Sequence, residues 1–192
     1  MPEDASTQKT LNNDLTPQEK CDGLMEIVSK ANIAILTTMG TNGQLHSRTM
    51  APASTEKLHF AFLADNSSYK TAEIEKNSSV NVSFYDPSSR HWASIAGTAK
   101  LSQDRQKIKD LWNPLTRAWF GDLGDGVHKG DSDDPRVVAI EVVPQYIRYW
   151  YTTRSKVGTM VDVAMSAATG SVAAPGETRE INENEASINS SR

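Results

Sequence analysis

The sequence predicts a mainly β domain, an antiparallel barrel with flanking helices, and three observations carry that expectation. Seven short stretches are β-branched or alternate apolar with polar residues. Only a few segments carry helical spacing, and nowhere do strand and helix alternate in the βαβ rhythm of a doubly wound sheet.

Taken in order, Thr16-Pro17-Gln18-Glu19 has the form of a capping box with Pro at the first helical position. Cys21, Leu24, Met25, Val28 and Ala31 then recur at helical spacing, which predicts a helix from Pro17 to Lys30 with Cys21 on its core side. Ile33 to Thr38 and Leu45 to Ala51 flank Asn42-Gly43, the pattern of a β-hairpin. A third strand falls at Leu58 to Phe62 and a fourth around Val80 to Phe84. A fifth runs from Trp92 to Leu101, with Gly97 marking a bend or a close backbone approach. Ser102 caps an expected helix with Ile108, Leu111 and Trp112 inward, stopped by Asn113-Pro114. A Gly- and Asp-rich loop fills Trp119 to Pro135, and Arg136 to Val143 and Gln145 to Thr152 read as two strands pinched at Pro144.

The chain has 192 residues, 38% hydrophobic and 23% charged, which fits one domain. Residues 1–14 are polar, and Ser171 to Arg192 hold only Val172, Ile181 and Ile188 as large aliphatics. Neither end carries enough apolar surface to offset its ordering entropy, so 1–14 and 171–192 are expected to be disordered tails around a domain at 15–170. The net charge of −4 supplies no basic field for a polyphosphate backbone, so nucleic acid is not an expected partner. No basic start is followed by an apolar core, and no run approaches the roughly 18 apolar residues of a membrane span. No membrane partner is expected. A single cysteine and no disulfide pattern point to a reducing, cytoplasmic setting.

Two weak signals combine into a candidate site. Ser68 stands at the cap of a short helix that places Lys70 one turn in, an arrangement suited to a phosphate and equally common for structural reasons. On the strand Leu45 to Ala51, period-2 alternation puts His46, Arg48 and Met50 on one face. A strand arginine among apolar neighbours is expensive to bury unpaired, so Arg48 either meets a carboxylate or holds a ligand anion. The five aspartates between Gly121 and Asp134 lack EF-hand spacing, and His46, His59, His91 and His128 lack zinc-ligand spacing, so no metal is expected.

The succession Ala34-Ile35-Leu36-Thr37-Thr38, Ser47-Arg48-Thr49-Met50-Ala51-Pro52, Ser68-Tyr69-Lys70 with Glu73-Ile74-Glu75, and Val80-Asn81-Val82-Ser83-Phe84 resembles the pyridoxamine phosphate oxidase-like flavoproteins. Trp112-Asn113-Pro114, Ala118-Trp119-Phe120, Asp134-Pro135-Arg136-Val137-Val138 and Tyr149-Trp150 narrow the likeness to the general stress protein branch, which includes fungal blue-light-induced proteins. The resemblance spans about residues 15–165. It implies an FMN-binding split β-barrel working as a homodimer, with two flavins in grooves between subunits. Arg48 and Lys70 match the family positions that hold the FMN phosphate, with Ser68 donating a hydrogen bond. Thr49 and Met50 match strand positions whose backbone lines the flavin, and Trp119 and Trp150 fall in segments that approach the partner subunit's flavin. After Trp150 the chain reads Tyr151-Thr152-Thr153-Arg154-Ser155-Lys156, without the Arg and His pair that orients vitamin B6 in true pyridoxamine phosphate oxidases, so that activity is not expected.

The resulting functional expectation is an FMN oxidoreductase passing electrons between a reduced nicotinamide and a small acceptor, with no side chain required as catalytic acid or base. The alternative is a noncatalytic flavin-binding protein used for storage or sensing. The homodimer has independent support in a surplus of rings, including Trp92, Trp119, Tyr146 and Trp150, over what a small barrel interior needs.

Overall fold

The computed structural model describes residues 4–12 and 14–190; residues 1–3, 13, 191 and 192, which fall in the expected tails, lie outside the described residues. In chain order the elements are α1 (Ala5–Thr10), α2 (Pro17–Ala31), β1 (Ala34–Met39), β2 (Leu45–Met50), β3 (Phe60–Asp65), α3 (Tyr69–Lys76), β4 (Ser79–Asp86), β5 (His91–Ser102), α4 (Arg105–Leu111), β6 (Val137–Thr152), α5 (Lys156–Thr169), β7 (Gly176–Asn182) and α6 (Glu183–Ser190). Short 3-10 turns stand at Glu56–Leu58 and Pro114–Trp119.

The seven strands form one antiparallel sheet in the order β2-β1-β4-β5-β6-β3, with β7 also on β6. β2 and β3 are not paired with each other, so the barrel stays open between them. β6 organises the fold. One of its edges pairs along β5, while the other holds β3 beside its first half and β7 beside its second.

The main core lies between the curled sheet and α2, with Leu24 and Ile27 of the helix fully buried against Leu36, Phe62, Phe84 and Ile95. The capping box that starts α2 is complete: the Thr16 hydroxyl accepts from the Glu19 N–H, and the Glu19 carboxylate accepts from the Thr16 N–H. Cys21 is buried on the same stripe, and burial pushes its thiol up to about 11, the behaviour of a packed and unreactive cysteine. A smaller cluster of Ile108, Phe120, Val137 and Ala139 closes the α4 end.

Four expectations are corrected. The two strands read around Pro144 are one 16-residue strand, β6. Pro144 falls where the register with β5 shifts between Ala96 and Gly97, a bulge that tolerates a residue with no N–H to donate. Gly97 is required there, because a Cβ would lie 2.2 Å from the Val143 carbonyl oxygen. The cap of α4 is Asp104 rather than Ser102, accepting from the Gln106 and Lys107 N–H groups. Both stretches expected to be disordered tails hold ordered elements among their described residues: α1 packs beside β7 through a Leu11–Thr178 bridge, and β7 completes the sheet with Ile181 fully buried. Most of β7 is polar. Its order comes from the backbone ladder on β6 and from Arg179, whose guanidinium lies over the Tyr151 ring at 4.3 Å and pairs with Glu177.

Candidate functional site

The strand pairing delivers Arg48 to the site. Arg48 lies opposite Leu36 of β1, in a row that continues through Val82, Ile95 and Ile147, so its side chain points to the inner side of the curled sheet. α3, connected to β3 by the turn at Asp65, packs against β1 and β5. Its Glu73 is buried and accepts three hydrogen bonds: from the Thr38 hydroxyl at 2.5 Å, from His46 Nδ1 at 2.6 Å and from Arg48 Nη2 at 3.1 Å. Arg48 Nη1 also donates to Thr38 Oγ1 and to the Leu36 carbonyl. Burial pushes the Glu73 carboxyl up, but the hydrogen bonds from Thr38, His46 and Arg48 outweigh it and hold the group below the usual carboxylate range. An ionised carboxylate only accepts, so His46 donates from Nδ1.

Lys70, one helical turn before Glu73, has no such partner. It is half-buried, and its ammonium makes no hydrogen bond or ion pair with a described residue. Burial, and then the charge of Arg48, lower its pKa. Ser68 is the N-cap of α3, yet its hydroxyl does not cap the helix; its one hydrogen bond among the described residues is with Thr71 Oγ1 at 3.3 Å. Two cations thus converge, of which only Arg48 is held by a carboxylate, beside a helix start whose first N–H groups have no side-chain acceptor among the described residues. The arrangement is chemically suited to an anion with several acceptor oxygens.

The remaining predicted residues divide. Thr49 points to the outer face and is exposed, while Met50 packs on the main core, so each offers its backbone rather than its side chain. β2 is an edge strand, with backbone groups that no neighbouring strand satisfies. Trp119 ends the 3-10 turn after α4 and is 86% exposed. It lies toward the same end of the sheet as Ser68, because Arg136 donates to the Phe120 and Gly121 carbonyls while its own carbonyl accepts from Asn66. Trp150 sits on the outer face between Trp92 and Thr178, with its Nε1 donating to Thr152 and Gly176 against its ring. Among the described residues, neither tryptophan has a hydrogen bond or ring contact with Arg48, Ser68 or Lys70.

Glu73, Thr38 and His46 complete the site and were not predicted as part of it. The available signal was the spacing of Lys70 and Glu73, three apart on one helix, together with the need of Arg48 for a carboxylate. The acidic loop forms its own turns: Asp134 is buried and held by Arg136 and the Gly130 N–H, and Asp125 caps Val127 and His128. No group of three candidate ligands capable of holding a metal occurs among the described residues.

An open antiparallel barrel of this strand order, with Arg48 on the inner face of its edge strand, defines the class of split-barrel proteins. The family model described as pyridoxamine 5'-phosphate oxidase like matches residues 19–173, and the chain belongs to that family. It is 36% identical over 187 residues to the protein bli-3 of Neurospora crassa, covering 96% of this chain and 90% of that one. A Clostridium acetobutylicum protein related to general stress protein 26 superposes with a TM-score of 0.59 at 20% identity, covering 71% of this chain and 91% of its own. A pyridoxamine 5'-phosphate oxidase-related, FMN binding protein of Nostoc punctiforme does so at 0.55 and 17% identity, covering 88% and 98%. These neighbours share the split-barrel fold. No helix among the described residues is long and apolar enough to cross a membrane.

Proposed function

We propose that this chain is an FMN-binding oxidoreductase that works as a homodimer and passes electrons between a reduced nicotinamide and a small acceptor. One observation carries the reading: Lys70 is half-buried with no hydrogen bond or ion pair to a described residue and lies in the field of Arg48, which outweighs that of Asp65, beside a Ser68 hydroxyl that makes no cap bond to the N–H groups of its helix. Two cations in that position disfavour each other until an anion joins them, and a phosphate monoester supplies the charge and the acceptors. The family membership and the FMN binding described for the Nostoc protein support a flavin as the bearer of that phosphate.

In this reading Arg48, Lys70 and Ser68 bind the phosphate. Glu73 and Thr38 position the Arg48 guanidinium, and the backbone of Thr49 and Met50 borders the ring. The chemistry supplied there is the flavin's own two-electron transfer, which the protein orients and tunes. The exposed rings of Trp119, Trp92 and Tyr146 are surfaces for the second subunit, and Trp119 reaches across toward the partner's site.

The purified protein is expected to be yellow, to release FMN on heating and to oxidise reduced nicotinamide with a quinone or dye acceptor. Failure to retain flavin after reconstitution, with no change in melting temperature, overturns the reading. Flavin retained without turnover across nicotinamides and acceptors removes the enzyme and leaves a storage or sensing protein.

A further inference from the structure

α5 is an amphipathic helix turned inside out. Its buried residues are Thr159 and Ser166, while Val157, Met160 and Val161 are 72%, 73% and 57% exposed. We propose that α5 is a dimerisation helix, packing antiparallel against α5 of a second copy of this chain. The inference rests on the homodimer of the proposed function and adds a surface to it that lies outside the flavin site.

The helix is held in this orientation by its polar side. Arg90 Nη2 donates to Thr159 at 3.1 Å, and the Asp162 carboxylate accepts from Arg154 and from the Ala174 N–H, each at 2.8 Å. Rolling the apolar side inward would break all three.

The exposed stripe fits a copy of itself. From Val157 to Thr169 the only charged side chain is Asp162, which is already paired, so two such faces meet without like-charge repulsion. Along the centre line of the stripe Val157 and Val161 stand in its first half and Ala164 and Ala168 in its second, with the exposed Met160 and Met165 on its flanks. Antiparallel pairing sets the large half of each helix against the small half of the other, so that Val161 meets Ala164 of the second copy. Interleaving of this kind is what close helix packing requires. Charge points to the same orientation. Lys156 stands at the N-terminus of its own helix, where the dipole opposes it, and the last turn of α5 has no base to face its free carbonyls. In an antiparallel pair the Lys156 of each copy reaches the other's last turn.

A membrane surface fits less well, because the helix has no aromatic residue and no base beyond Lys156. A pair of helices about 21 Å long buries less than the roughly 1,600 Å² of a standard interface. The rest is available next door: Arg90, which anchors α5, precedes Trp92 on β5, whose ring is exposed beside Tyr85 on the outer sheet face.

Val161→Lys and Ala164→Glu test the arrangement in the full-length, flavin-loaded protein by sedimentation equilibrium up to about 100 µM. Wild type is expected to dimerise, and each variant to weaken dimerisation by about tenfold or more, because each buries an unpaired charge. Mixing the two variants should restore association, since the introduced ammonium of one chain then faces the introduced carboxylate of the other. Melting temperature at concentrations where both are monomeric serves as the folding control. A dimer constant unchanged in either variant, or no rescue on mixing, overturns the role of α5 while leaving the homodimer standing. Monomeric wild type overturns both. Binding of wild type, but not Val161→Lys, to anionic phospholipid vesicles would assign the helix to a membrane instead and overturn the proposal.

Discussion

α2 and α5 are helices of similar length, 15 and 14 residues, each amphipathic and each started by a side-chain cap, yet they face opposite ways. α2 turns Leu24, Ile27 and Val28 into the core, whereas α5 turns Thr159 and Ser166 inward and presents its valines and methionines outward. Periodicity therefore specifies a helix and its two sides but not which side meets the same chain. Charged groups show the same division. Glu73 is buried and accepts from three donors inside the chain, while Lys70, one turn away, bonds none of the described residues. What the chain completes by itself is stability; what it leaves open is surface for something else.

The largest expected effect breaks the fold on the completed side. A stop codon after Gly170 removes β7 and with it the partner of the second half of β6 and the buried Ile181. Such a chain should lose its cooperative thermal transition, and a normal melt would show that β7 is dispensable. Leu24→Ala on α2 should cost about 2–5 kcal/mol in denaturant unfolding, because the site cannot collapse around the missing atoms. Val161→Ala on α5, measured on the monomer, should stay within about 0.5 kcal/mol of wild type. Comparable losses at the two positions would dissolve the contrast between the helices.

The charged pair gives the next effects. Lys70→Ala should weaken FMN by about 1.5–3 kcal/mol while sparing riboflavin and leaving the flavin-free protein at least as stable, since Lys70 has no hydrogen bond or ion pair with a described residue to lose and is relieved of the charge of Arg48. Isothermal titration with both ligands decides this, and equal losses would make Lys70 structural. Glu73→Gln keeps the volume and removes the charge that positions Arg48, and should cost about 1–3 kcal/mol of stability near neutral pH. The Glu73 carboxyl is held below its ordinary value of 4.5. Its contribution is therefore fully present above that value and is lost as pH falls through the folded one. Wild type and Glu73→Gln should accordingly converge in urea unfolding as the pH is lowered below 4.5, and a constant gap would remove Glu73 as the cause.

Much of the fold was legible because local chemistry and tertiary packing agree there. The capping box set the start of α2, and Asn42-Gly43 set the β1–β2 hairpin. β7 was missed because Glu-Thr-Arg-Glu-Ile-Asn offers little apolar area, and its order depends on a strand edge far away in sequence. β6 was divided because a proline normally ends a strand, and nothing local reveals a bulge opposite Gly97. Within the site, Arg48 and Lys70 were legible from residue type and alternation. Glu73 was not, because a carboxylate on an exposed-looking helix acquires its meaning only when β2 is laid beside it.

The link between α1 and β7 also orders events during synthesis. Thr10 and Thr178, whose hydroxyls meet at 3.3 Å, are 168 residues apart. At about 5–20 residues per second a ribosome takes on the order of 10–30 seconds to travel between them. Throughout that interval the second half of β6, once made, has an open edge, and α1 has nothing to dock on. The nascent chain is thus exposed to strand-edge aggregation late rather than early; a chaperone acting on residues 150–175 would protect it most, and a slow codon run there would prolong the exposure.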